Sequence, residues 1–171
     1  MRIAHRVWLL GLSLTLLVSR LPGQVQPTVP SDREGLLKGL GMGLAAYAEE
    51  NGYPGPKHVL ELKDQLGLSR DQVKKTEALE NLVKISASAK GEEVVQAEEE
   101  LNKLFEAGTI NEKILRSRLE QIGKMRADLR FIHLQAHLRM KQLLTAEQIR
   151  HYNELRGHED KPEDKDPKPH H

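Results

Sequence analysis

Residues 131–148 read FIHLQAHLRMKQLLTAEQ, and within this run His133, His137 and Met140 fall at spacings of four and three. On a helix, an i, i+4 histidine pair lets two imidazoles reach one ion, and a thioether one turn further on adds a donor of a different kind. Imidazole suits zinc, nickel, cobalt and copper, whereas methionine sulfur tilts the preference toward copper. The alternative is a polar seam in which the imidazoles hydrogen-bond to a carboxylate or a backbone carbonyl. His151 with His158, and the terminal His170 and His171, are weaker candidates for ligands.

A helix has to carry these residues. Winding residues 111–144 at about 100° per residue puts Leu115, Leu119, Ile122, Leu129, Met140 and Leu144 on one stripe, together with Arg126, His133 and His137. The imidazoles therefore face a helix partner, where a buried charge or ring nitrogen must be paired. That partner is the preceding segment. Ser69 and Gln72 form a capping box, after which Leu79, Val83, Ser86, Val94, Ala97, Leu101 and Leu104 return at helical spacing, interrupted by Lys90 and weakened at Gly91. EAGTINEK, residues 106–113, makes the turn, with Gly108 stopping one helix and Thr109 and Glu112 capping the next. Folding about it sets residue i opposite roughly 217 minus i, so that His137 faces Glu80 and Met140 faces Glu77. His133, His137, Met140 and Glu80 are the candidate ligands for a divalent Zn, Cu, Ni or Co ion.

The rest of the chain frames this hairpin. Residues 1–23 open on MRIAHR and an apolar run, VWLLGLSLTLLV, as in a signal peptide, cleaved near Gly23 or retained as an N-terminal anchor. With no cysteine there is neither a lipid anchor nor a disulfide, so helix packing, self-association or a bound metal must hold the exported protein together. Residues 24–51 join a proline-containing leader to a weak helix whose glycines, Gly35, Gly39, Gly41 and Gly43, serve either docking or flexibility. NGYPGP at 51–56 breaks the chain, a short amphipathic helix follows to Gly67, and Thr145 with Gln148 starts a last helix closed by Gly157. The folded domain spans residues 52–157, and the charge-alternating tail, 158–171, reads as disordered. No strand pattern competes, so the fold class is all-α, a long antiparallel hairpin with shorter flanking helices.

Charge adds a regional bias within a formal net charge of +1, which argues against nucleic-acid binding. Residues 111–144 carry eight basic against three acidic side chains, while residues 69–107 carry nine acidic against six basic. This is either interhelical complementarity or a client-attracting basic face, for which Arg116, Arg118, Lys124 and Arg130 are the candidates. Catalysis finds no support, because the hydroxyls sit at caps and the clustered imidazoles have no neighbouring nucleophile.

The pair LGLSRDQ, residues 66–72, and LLTAEQ, residues 143–148, brackets the hairpin. Together with the apolar N-terminal run, this order resembles the paired LTxxQ motifs of the Spy/CpxP-like exported proteins. Leu144, Thr145 and Gln148 match the second motif fully, and Leu68, Ser69 and Gln72 match the first with serine for threonine. The resemblance implies a periplasmic, cradle-like homodimer acting as an ATP-independent chaperone for unfolded proteins. It equally implies a heavy-metal sensor or resistance protein of the ZraP and CnrX type, or an envelope adaptor with a stress-signalling partner. Membrane contact is expected only if the N-terminal segment is retained.

Overall fold

In a computed structural model, residues 32–157 are described. The expected signal segment, the start of the leader and the charged tail lie outside them. Among the described residues every regular element is a helix: α1 (Arg33–Leu37), α2 (Ala46–Glu50), α3 (Pro56–Glu61), α4 (Arg70–Glu106), α5 (Glu112–Leu143) and α6 (Ala146–Arg156). None is long and apolar enough to cross a membrane.

α4 and α5 form the expected antiparallel hairpin, and Arg118 reaches Glu100 across the seam at 3.2 Å, within one turn of the expected register. The cap of α5 is Asn111, which accepts from Ile114 N at 3.0 Å; Thr109 instead turns its hydroxyl toward Leu104 O. The core runs along the seam in layers. Ala97, Leu101 and Ile122 fill the turn end. Leu36 of α1 completes the middle layer with Ala87, Val94, Val95 and Leu129. At the open end Val59 and Leu66 meet Met140, Leu144 and Tyr152. Each buried Val, Leu, Ile or Met of these layers contributes about 1.5–3 kcal/mol of transfer free energy. Leu119, expected on the buried stripe, is 51% exposed, because no flanking helix extends over that part of α5.

The glycine-rich segment is docked. Its two short helices are separated by turns at residues 38–45, and Leu36 is only 2% exposed. Gly91, a weak point by helix propensity, is where the backbone of α1 approaches. A Cβ there would lie 2.0 Å from Leu36 O and 2.6 Å from Leu36 C. Arg126 anchors the same segment from α5, donating to Asp32 Oδ2 at 2.8 Å and to Glu98 Oε1 at 3.0 Å. Those bonds, the one to Asp32 first, raise its pKa further and supply the pairing that its place on the stripe requires.

The open end is closed by two glutamines. Ser69 and Gln72 form one capping box, and Thr145 and Gln148 form the other. Gln72 Nε2 donates to Gln148 Oε1 at 2.8 Å and Gln148 Nε2 donates back to Gln72 Oε1 at 3.2 Å. Their second N–H groups reach Leu143 O at 3.1 Å and Leu66 O at 3.3 Å, and each amide oxygen also accepts the cap backbone N–H. Both donors and both lone pairs of each amide are thus used.

Gly91→Ala isolates the docking of α1. The better helix former gains about 1 kcal/mol, yet the clash with Leu36 outweighs it, for a net loss of about 1–3 kcal/mol. Hydrogen exchange should speed up at residues 33–45 while α4 and α5 stay protected. For the glutamine pair, Gln72→Ala and Gln148→Ala should each cost about 1–3 kcal/mol in urea titrations. Their double-mutant cycle should give a coupling on the order of 1 kcal/mol, and additive losses would show that the two amides act independently.

Candidate functional site

Between the middle core layer and the open-end layer the seam turns polar. His133 and His137, one turn apart on α5, face a cavity of about 530 Å³ whose other walls are Glu80, Val83 and Lys84 of α4 and residues of the 38–58 segment. His137 and Glu80, expected to face one another, both line this cavity, but the hydrogen-bond partner of His137 is the Tyr53 carbonyl. Met140 is not part of it: the side chain is fully buried among Val59, Leu66, Leu144 and Tyr152. The stripe that holds the imidazoles is wide enough for its next turn to fall in the apolar layer.

Two residues absent from the sequence-based set complete the cavity. Glu49 lies in the last turn of α2 and His58 in α3, on either side of the NGYPGP turn. His58 Nδ1 and Glu49 Oε1 are 2.5 Å apart. Glu49 also accepts from the Tyr152 hydroxyl at 3.4 Å, and Arg156 Nη2 lies 3.6 Å from its other oxygen, so one carboxylate ties α2 to α3 and α6. Burial, with Glu49 second, pushes the Tyr152 phenol well above its ordinary 10.0 and keeps it a neutral donor. The signal that could have revealed them is the turn itself. Pro54 and Pro56 stiffen the chain around Gly55 and hold the ends of α2 and α3 together.

His137 has a defined tautomer. Its Nδ1 is 2.7 Å from Tyr53 O, a group that can only accept, so in the neutral ring the proton sits on Nδ1 and Nε2 is the bare nitrogen. The Cε1–Nε2 edge of the ring lies against Gly55. A Cβ on Gly55 would stand 2.9 Å from Glu49 Oε1, 2.9 Å from His137 Cε1 and 3.2 Å from His137 Nε2, so only glycine leaves this space open. The residue that supplies this acceptor is itself steadied by Lys141, whose ammonium sits 3.8 Å from the centroid of the Tyr53 ring.

His133 is the unsatisfied member. It is 7% exposed, and its Nε2 is buried with no hydrogen-bond partner. An orphaned buried polar atom costs about 1–3 kcal/mol, so this ring is held at a loss by its surroundings. Burial, and then the neighbouring His137, lowers its pKa from the ordinary 6.5. The cavity wall contains imidazoles, carboxylates and the amines of Lys38, Lys57 and Lys84, but no serine, threonine or cysteine. The arrangement brings no nucleophile to the imidazoles. Among the described residues no three His, Asp or Glu side chains already surround a common point at coordinating distance.

The four candidate cations of the client-binding face are distributed differently. Arg116 lies 3.7 Å from Glu112, Arg118 pairs with Glu100, and Lys124 lies 3.2 Å from Asp128. Arg130 is exposed beside α1, near Asp32 and Leu36. Two of the four therefore pair with acids of their own helix and one with an acid across the seam. Comparison with family models, curated proteins and solved structures finds no match for this chain.

The lowered pKa of His133 fixes the sign of a pH effect. The folded chain resists a proton that the unfolded chain accepts near pH 6.5, so its contribution is full above that pH and is lost as pH falls toward the folded value. In metal-free buffer, stability should be flat just above that range and decline below it. His133→Gln should flatten the decline in denaturant titrations taken across the range, and an unchanged slope would assign it to other groups.

Proposed function

We propose that the chain is an exported Spy/CpxP-like stress protein that holds unfolded clients on its helical hairpin without nucleotide. One observation carries this reading. The flanking helices cover one face of the hairpin, whereas its other face keeps a shallow groove lined by Leu79, Leu82, Ser86, Ile132, Gln135 and Arg139. Leu82 is 51% exposed beside it, and Phe131 and Leu138, seven residues apart on the outer side of α5, are 59% and 51% exposed. Exposed apolar side chains beside Arg139 suit weak, sequence-tolerant capture of unfolded segments. The interlocked Gln72 and Gln148 support the family reading, since the two short motifs that suggested it act as one structural unit. The reading requires no catalysis, and the proposed location, the periplasm, rests on the N-terminal residues of the sequence.

A second reading, a metal-responsive protein of the same class, is favoured by the imidazole cavity of α5. The first reading has a direct assay. At stoichiometric amounts the full chain should suppress aggregation of an unrelated unfolding protein. Replacing Leu82 and Phe131 together by serine should remove most of that protection without loss of helicity, since both side chains are exposed. Full protection by the variant would move the client surface elsewhere, and no protection by the wild type would remove the chaperone role.

A further inference from the structure

We infer that the Met42 thioether is an oxidation-sensitive latch, and that its conversion to the sulfoxide frees the glycine-rich segment from the hairpin. The chain contains no cysteine, so its sulfur resides in four methionines. Met1 lies outside the described residues. Met140 is fully buried, and Met125 is half-buried between the turn-end and middle core layers. Met42 is 41% exposed, so among the described residues it is the sulfur that an oxidant meets first.

The side chain holds its own backbone in place. Met42 and Gly43 are the central residues of a turn closed by Leu44 N, which donates to Gly41 O at 2.7 Å, and both have positive φ, 44° and 75°. Such a turn favours Gly, Asn or Asp at its first central position, because a Cβ is crowded there. Met42 is the one non-glycine residue with positive φ among the described residues. Packing offsets this strain. A Cβ on Gly35 of α1 would stand 2.1 Å from Met42 Sδ and 2.9 Å from Met42 Cγ, so the thioether fills the place that this glycine leaves bare. Leu40 N, donating to Gly35 O at 2.9 Å, ties the chain before the turn to the same residue. Met42 also lines both the imidazole cavity and a second cavity of about 470 Å³ walled by Asp32, Leu36, Leu44, Arg126 and Leu129, from which a small oxidant can reach it.

The co-reactant is a peroxide, of which hydrogen peroxide is the simplest. A sulfur lone pair forms a bond to one peroxide oxygen as the O–O bond breaks. The departing hydroxide takes the proton of the transferred oxygen and leaves as water, so sulfur loses an electron pair and the peroxide gains it. The product is a polar sulfoxide in place of a flexible apolar thioether. Seated against Gly35, Leu36 and Leu44 its oxygen would be a strong acceptor in apolar surroundings. It therefore turns to water or to the guanidinium groups of Arg126 and Arg130 on the cavity wall. In either case the sulfur leaves Gly35, and the strained turn loses the packing that held it. Leu44, and Leu36 with it, then lift from Ala87, Val94, Val95 and Leu129, uncovering an apolar face of the hairpin.

The test is oxidation of the full chain with hydrogen peroxide, followed by peptide mass spectrometry and amide hydrogen exchange. Met42 should gain one oxygen before Met125 and Met140 do. Once it has, the Leu40 and Leu44 amides, which report the two hydrogen bonds around the turn, should exchange about ten- to a hundredfold faster, while α4 and α5 keep their protection. Reductases acting on both sulfoxide epimers should restore slow exchange. Met42→Leu keeps an apolar side chain and every other methionine, and its exchange pattern should not respond to peroxide. Reaction at Met125 or Met140 ahead of Met42 would overturn the inference. So would a Met42 sulfoxide whose turn amides exchange at the original rate. Acceleration that persists in Met42→Leu would trace to another residue and overturn the latch. The wild-type measurements stand without any variant, and neither readout involves a client or a metal.

Discussion

The reciprocal amide pair of Gln72 and Gln148 is the constraint on which the arrangement of the helices depends. Each glutamine also closes a capping box, so the start of α4 and the start of α6 are defined by the same two side chains that bind each other. A helix start normally leaves backbone donors to be satisfied locally. Here that local solution becomes tertiary, because the amide that caps its own helix also caps the contact between helices and holds the carbonyls of Leu66 and Leu143. The apolar layer of Val59, Leu66, Met140, Leu144 and Tyr152 lies directly behind it.

Above that layer the seam sets burial against charge. The Arg126 charge is compensated because Asp32 and Glu98 both accept from it. His133, with no acceptor, is kept neutral by desolvation. His137 avoids the problem by donating to Tyr53 O. Three polar groups on one stripe thus reach three different electrostatic solutions. The N-terminal segment supplies or shapes all of them, through Asp32, the chain around Gly41 and the Tyr53 carbonyl. The same segment closes over the cavity, so its docking and the chemistry of the imidazoles are a single problem.

Much of the hairpin was legible in the sequence because its determinants are local. Apolar spacing, the capping boxes at Ser69 and Thr145 and the Gly108 turn are each read within a few residues. His133, His137 and Glu80 were legible as neighbours because a hairpin maps sequence distance onto position in a simple way. Glu49 and His58 were not, since an irregular turn brings them to α5 and no periodicity records that path. Met140 was assigned to the polar set because periodicity gives direction around a helix but not which layer lies opposite. Gly91 shows the limit of propensity: the scale registers only its cost to α4, while its value lies in the backbone of α1 that packs against it.

Pinning the hairpin at its open end has a consequence for chain length. Between Gln72 and Gln148 the path runs up α4, around a short turn and down α5, and both ends are held in register by the amide pair. One residue inserted in either long helix rotates everything beyond it by about 100° and advances it by about 1.5 Å. An insertion in α5 between the turn and His133 would swing Arg126 or the imidazoles off the seam unless the clasp gave way. Lengthening tolerated by this architecture therefore comes as matched additions to both helices, near whole multiples of seven residues, or is confined to the turn at 107–111. The protein can grow taller at its tip, but not between its clasp and its cavity.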